Sequence, residues 1–70
     1  MIEISIETEY IKLDSLLKLA AVAQSGGEAK MLIQEGEVLL NGEPCLERGR
    51  KIRPGDVVSI FDDEITVTAP

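Results

Sequence analysis

Histidine and tryptophan are absent from this sequence of 70 residues, and cysteine occurs once, at Cys45. Without histidine, neither a Ser–His–Asp nor a Cys–His centre can be assembled, and a lone thiol makes neither an intramolecular disulfide nor a redox pair. Cys45 therefore reads as a small apolar core residue, as free cysteines commonly are. Carboxylates are plentiful, but the run Asp62-Asp63-Glu64 falls in a hairpin turn, where acids are usual, and lacks the ligand spacing of a calcium loop. The inventory supports no enzyme, no cofactor and no metal site. Also missing are a basic leader and a long apolar stretch, so no signal peptide or transmembrane helix is expected. One unpaired thiol suits a reducing compartment, and the expected location is cytoplasmic.

What remains must fold by packing. The hydrophobic share is 44%, mostly Leu, Ile, Val and Ala, and the only aromatics are Tyr10 and Phe61. Seventy residues suffice for a single domain, with burial only just offsetting chain entropy.

The formal charge is −6, but it is unevenly spread. Residues 1–11 and 54–70 contain acids and no base. All seven bases lie in residues 12–53 beside six acids, which leaves that span at +1. Arg48, Arg50, Lys51 and Arg53 fall within six consecutive residues free of acid. A Debye length of about 8 Å is short against a domain roughly 25–30 Å across, so acidic termini on the far side would barely cancel such a patch.

Ile4 and Ile6 alternate with Glu3, Ser5 and Glu7, the period of a half-buried strand over residues 3–7. Leu13, Leu16, Leu17 and Ala20 follow helical spacing, and a first helix is expected over about 12–22, with Asp14 and Lys18 paired at i, i+4. Ser25 followed by Glu28 is a capping box that opens a second helix over about 26–35, with Ala29, Leu32 and Ile33 buried and Gly36 as a left-handed cap. Strand residues 37–40 lead into Asn41-Gly42, a type I′ hairpin signal, and Pro44 places the returning segment at an edge. Pro54-Gly55-Asp56 is a turn, and residues 57–61 and 65–68 form a last strand pair around Asp62-Asp63. The order is β-α-α-β-β-β: an α+β domain of two packed helices against a small, mostly antiparallel sheet.

Two groups of residues could carry a function. The Gly26-Gly27 pair lacks the spacing of a phosphate loop, yet a helix N-terminus opened by glycines offers free N–H groups and a positive dipole end, with Lys30 one turn on. The plain alternative is a capped helix start. Arg48, Arg50, Lys51 and Arg53 could be a solvated face. Against that, the rest of the chain is acidic, and a continuous strand would turn Arg48 and Arg50 to the same side as the apolar Ile52. Gly49 offers a loop or bulge that frees them. Planar guanidinium forks suit phosphates, and the cluster reads as an electrostatic footprint.

The run Leu13-Asp14-Ser15-Leu16-Leu17, then Ser25 through Lys30, Leu32 through Val38, Asn41-Gly42 and Pro54-Gly55-Asp56 resembles the RNA-binding domain named after small-subunit ribosomal protein four, the alpha-L RNA-binding motif. The resemblance covers about residues 11–61, and Gly-Gly-Glu-Ala-Lys with Arg-Gly-Arg-Lys points to its short bacterial stand-alone subtype. It implies a binder without chemistry of its own, with the helix starts near RNA backbone. Carried over by position, it implicates Lys12, Ser25, Gly27 and Lys30, and the subtype's basic loop adds Arg48, Arg50 and Lys51; Arg53 belongs to the same cluster. Many members have arginine where Lys12 stands and a basic residue where Gly26 stands, which leaves more of the contact to the Arg48–Lys51 loop.

The expected function is non-enzymatic recognition of structured RNA, ribosomal or tRNA-like, through phosphates, with the ribosomal particle as a candidate partner and no membrane or small-molecule substrate. Two aromatics give little platform for base stacking, so backbone and shape should dominate. The alternative is a protein–protein adaptor whose acidic faces contact a basic, ribosomal partner.

Overall fold

The computed structural model describes residues 2–70. The chain runs β1 (Ile2–Ser5), β2 (Ile11–Lys12), α1 (Leu13–Leu19), α2 (Gly26–Gln34), β3 (Val38–Leu40), β4 (Glu43–Pro44), β5 (Lys51–Ile52), β6 (Val57–Ile60) and β7 (Asp63–Thr68). Five strands form one sheet in the order β1-β7-β6-β3-β4, and β2 and β5 form a separate two-stranded ladder. All pairings are antiparallel except β1 with β7. The architecture is the expected α+β one, two packed helices and a mostly antiparallel sheet, with three two-residue strands (β2, β4 and β5) and one parallel pair added.

Leu13, Leu16 and Leu17 from α1 and Ala29 and Ile33 from α2 meet Val38, Val58, Ile60, Ile65 and Val67 from the sheet in one apolar cluster. Ile52 joins them fully buried, which ties the small ladder to the same core. Cys45 is 8% exposed and belongs to this cluster.

Both helices end alike. At α2, Gly36 takes φ 78°, its N–H donates to the Ile33 carbonyl, and the Glu37 N–H donates to Leu32. At α1, Ala21 takes φ 63°, its N–H donates to Lys18, and the Val22 N–H donates to Leu17. These are two Schellman closures, one built on glycine and one on alanine. The second ends α1 at Leu19, three residues short of the expected 22. The last hairpin also differs from expectation. Its two-residue loop is Phe61-Asp62, because Ile60 pairs with Asp63 and β7 starts there.

Candidate nucleic-acid interface

The first helical N–H groups of α1 need acceptors, and the preceding residue, Lys12, supplies no side-chain cap. They are met from far along the chain. The Leu13 N–H donates to the Arg50 carbonyl at 2.9 Å, and the Asp14 N–H donates to the Arg48 carbonyl at 3.1 Å. A turn closed by the Arg50 N–H to the Glu47 carbonyl, 3.1 Å, holds both carbonyls in place. The segment through Arg48 and Arg50 is thus a turn, the loop that Gly49 offered, and only Lys51-Ile52 pairs as strand. This frees both arginine side chains from the core side that Ile52 occupies.

Across the small ladder, Ile11 stands opposite Ile52 and Lys12 opposite Lys51. The isoleucines face the core, so both lysines face solvent on the other side. Directly opposed residues have Cβ atoms about 4.5–5.5 Å apart, a spacing at which like charges repel. The Lys51 ammonium lies over the Tyr10 ring, 5.0 Å from its centre, which orients it by cation–π attraction. The backbones of Lys12, Lys51, Arg48 and Arg50 therefore meet around the start of α1.

A second group forms at the other end of α1, about 10 Å away by helical rise. The Ser25 Oγ accepts from the Glu28 N–H at 3.2 Å, while the Glu28 carboxylate accepts from the Gln24 N–H at 3.4 Å, one residue earlier than the usual capping-box partner. The Glu28 N–H is taken, and Gly26 and Gly27 carry the first two N–H groups of α2. A methyl group added at Gly26 would come within 4.0 Å of the Lys18 ammonium. Lys18 therefore serves the start of α2. Its expected partner, the Asp14 carboxylate, accepts from the Ser15 N–H instead. Sequence spacing pointed Lys18 along its own helix, and only the α1–α2 packing shows where it reaches. Lys30 is exposed on the next turn of α2.

Arg53 opens the turn into β6, where the Asp56 carboxylate accepts from the Arg53 N–H at 2.8 Å and from the Asn41 amide at 3.2 Å. Its side chain is exposed, and it follows β5 directly, with its backbone held by that carboxylate. All seven cations are exposed, and among the described residues none of the side-chain hydrogen bonds joins a cation to a carboxylate.

The acids are only partly remote. Asp62 and Asp63 lie at the far end of β6 from the Arg53 turn, four residues or about 13 Å of strand away. Glu7 and Glu9 do not follow that expectation: they sit on the connection from β1 into β2, the end that carries Lys12. Glu47 adjoins Arg48, and together with Glu43 and Arg50 it lines an open hollow of about 580 Å³. The surface is a set of cations interleaved with acids. Among the described residues, no helix is long and apolar enough to cross a membrane.

The family model described as the S4 domain matches residues 4–68. Over 57 residues the chain is 60% identical to the probable ribosome maturation protein RlbA of Bacillus subtilis (strain 168), a match covering 81% of this chain and 80% of that protein. It is 35% identical over 60 residues to the putative RNA-binding protein YbcJ of Escherichia coli (strain K12), covering 86% of each. The solution structure of E. coli YbcJ, described as revealing an alfaL motif involved in RNA-binding, superposes with a TM-score of 0.76 at 33% identity, covering 99% of this chain and 89% of that one. Motif, fold and relatives agree along nearly the whole length, and the chain belongs to the S4-domain, or alpha-L, RNA-binding family.

Proposed function

We propose that this protein is a non-enzymatic binder of structured RNA, ribosomal or tRNA-like, acting in the cytoplasm on the ribosomal particle or its precursors. The observation that carries the reading is the opposed pair Lys12 and Lys51, with Arg48 and Arg50 on the turn that caps α1. Two lysines directly opposed on one face repel each other, and a phosphodiester seated between their ammonium groups would relieve that repulsion. The turn holds the arginine backbones rigidly, so the guanidinium forks need little ordering on binding. Ser25, Gly27, Lys30 and Lys18 supply a second seat, where the Gly26 and Gly27 N–H groups add a helix N-terminus. Arg53 contributes from the flank. Two seats about one α1 length apart would fix register on a folded RNA by backbone and shape. The names of the relatives, a ribosome maturation protein and an RNA-binding protein, support the class of ligand.

Titration of a fragmented ribosomal RNA pool by gel shift tests the reading. If four to six phosphates are engaged, affinity should fall with log salt at a slope of roughly −3 to −5. Changing Arg48, Arg50 and Lys51 together to Ala should reduce that slope by about 2–3 and lower affinity by at least tenfold near 0.1 M salt. An unchanged slope in the triple variant removes this surface from the binding site.

A further inference from the structure

Among the described residues Phe61 is the most exposed of the large apolar side chains, at 68%, and its backbone lies in the left-handed region at φ 53°. Both features work against it. A bulky side chain at positive φ is strained, and the first position of a two-residue hairpin loop is normally filled by Asn, Asp or Gly. The equivalent loop at Asn41-Gly42 has those residues. Folding would be served as well or better by asparagine at 61.

The surroundings of Phe61 say what would cover it. Phe61 borders an open concavity of about 280 Å³ shared with Gly36, Glu37, Leu39 and Ser59. Glu37, Asp62 and Asp63 rim this end of the sheet, and residues 31–47 and 54–70, which build it, contain no Lys or Arg. An apolar anchor inside an acidic rim repels RNA and complements a cationic protein surface. We propose that the Phe61 end of the sheet is a docking surface for a Lys/Arg-rich protein segment that places an aliphatic side chain against Phe61. The surface lies at the opposite end of β6 from the Arg53 turn, and it does not depend on the RNA reading.

The test uses the full chain, nitrogen-15 labelled, with synthetic 12-residue peptides. One alternates Arg and Lys with leucines, and a second of equal charge has serine in place of each leucine. The leucine peptide should bind at least tenfold tighter, with amide shifts centred on Glu37, Ser59, Phe61 and Asp62. Phe61→Asn should lower affinity for it at least tenfold while the melting temperature stays level or rises, and Phe61→Trp should retain binding. Several results would overturn the proposal: equal affinity for the two peptides, shifts spread over Glu7, Glu9 and Glu28, or a melting temperature several degrees lower in Phe61→Asn. So would RNA-induced shifts at the same amides, or a wild-type dimer in sedimentation that Phe61→Asn abolishes, since these identify the occupant as RNA or a second copy.

Discussion

α1 and α2 are similar in length, seven and nine residues, and pack against each other, yet they are held at their ends by different means. α2 carries its own instructions: Ser25 caps its start and Gly36 closes its end. α1 borrows its start from the carbonyls of Arg48 and Arg50, more than thirty residues away, and closes on Ala21. A local cap costs only the ordering of its own residues. A remote cap requires the whole 47–52 segment to be in place, so the basic turn and the α1 N-terminus become one unit. The contact that completes the helix also positions the cations.

Removing the anchor of the remote cap should have the largest effect. Ile52 is fully buried and fixes the strand that follows the capping turn. Ile52→Ala should cost about 2–5 kcal/mol, comparable with the whole stability of a domain this small, and would show as a much lower denaturant midpoint. The milder Ile52→Val, costing about 0.5–1.5 kcal/mol, separates the two helices. Hydrogen exchange should then speed up at the Leu13 and Asp14 amides more than at Glu28 and Ala29. Equal acceleration at all four would mean that the two starts open together and that the contrast between them is not energetic.

The same contrast explains what could be read from residues alone. Ser25, Gly36, Asn41-Gly42 and Pro54-Gly55 each set the backbone of their own few residues, so they announce α2, the β3–β4 hairpin and the turn into β6, although Asn41 also bonds to Asp56 and Val57. The β2–β5 ladder is two residues deep, too short for an alternation to show, and the parallel β1–β7 pairing joins the two ends of the chain. Neither has a local signature. α1 overran its true end because Ala21, a strong helix former, occupies a left-handed position that glycine usually marks. For the site, the crowding of Arg48, Arg50 and Lys51 was visible as composition. The opposition of Lys12 to Lys51 and the reach of Lys18 to Gly26 depend on tertiary packing, which spacing does not encode.

A smaller loss is expected at the local cap. Ser25→Ala removes the acceptor for the Glu28 N–H and should cost about 1 kcal/mol, lowering the melting temperature by roughly 4–8 °C. Ser25→Gly should cost only a few tenths of a kcal/mol, because water can then reach the freed N–H. In circular dichroism both variants should keep the native helix content below the transition, since α1 and the core still hold α2 in place. A collapse of helicity in Ser25→Ala would show that α2 depends on its cap as heavily as α1 depends on the turn.

The two C-terminal closures permit the finest comparison, because they share one hydrogen-bond pattern and differ in one residue. Alanine in the left-handed region is disfavoured by about 1–2 kcal/mol, and Ala21 is exposed, so its methyl group offsets little of that. Glycine there would relieve the strain but add about 0.4–1 kcal/mol of unfolded-chain entropy. The balance favours glycine by about 0.5 kcal/mol, so Ala21→Gly should raise the melting temperature by a few degrees. Gly36→Ala meets open space but must adopt φ 78°, and the same two terms predict a loss of similar size. Thermal melts of the two single variants and their double would decide it. If Ala21→Gly lowers the melting temperature instead, the Ala21 methyl makes contacts that outweigh its strain, and α1 is closed by packing where α2 is closed by backbone geometry.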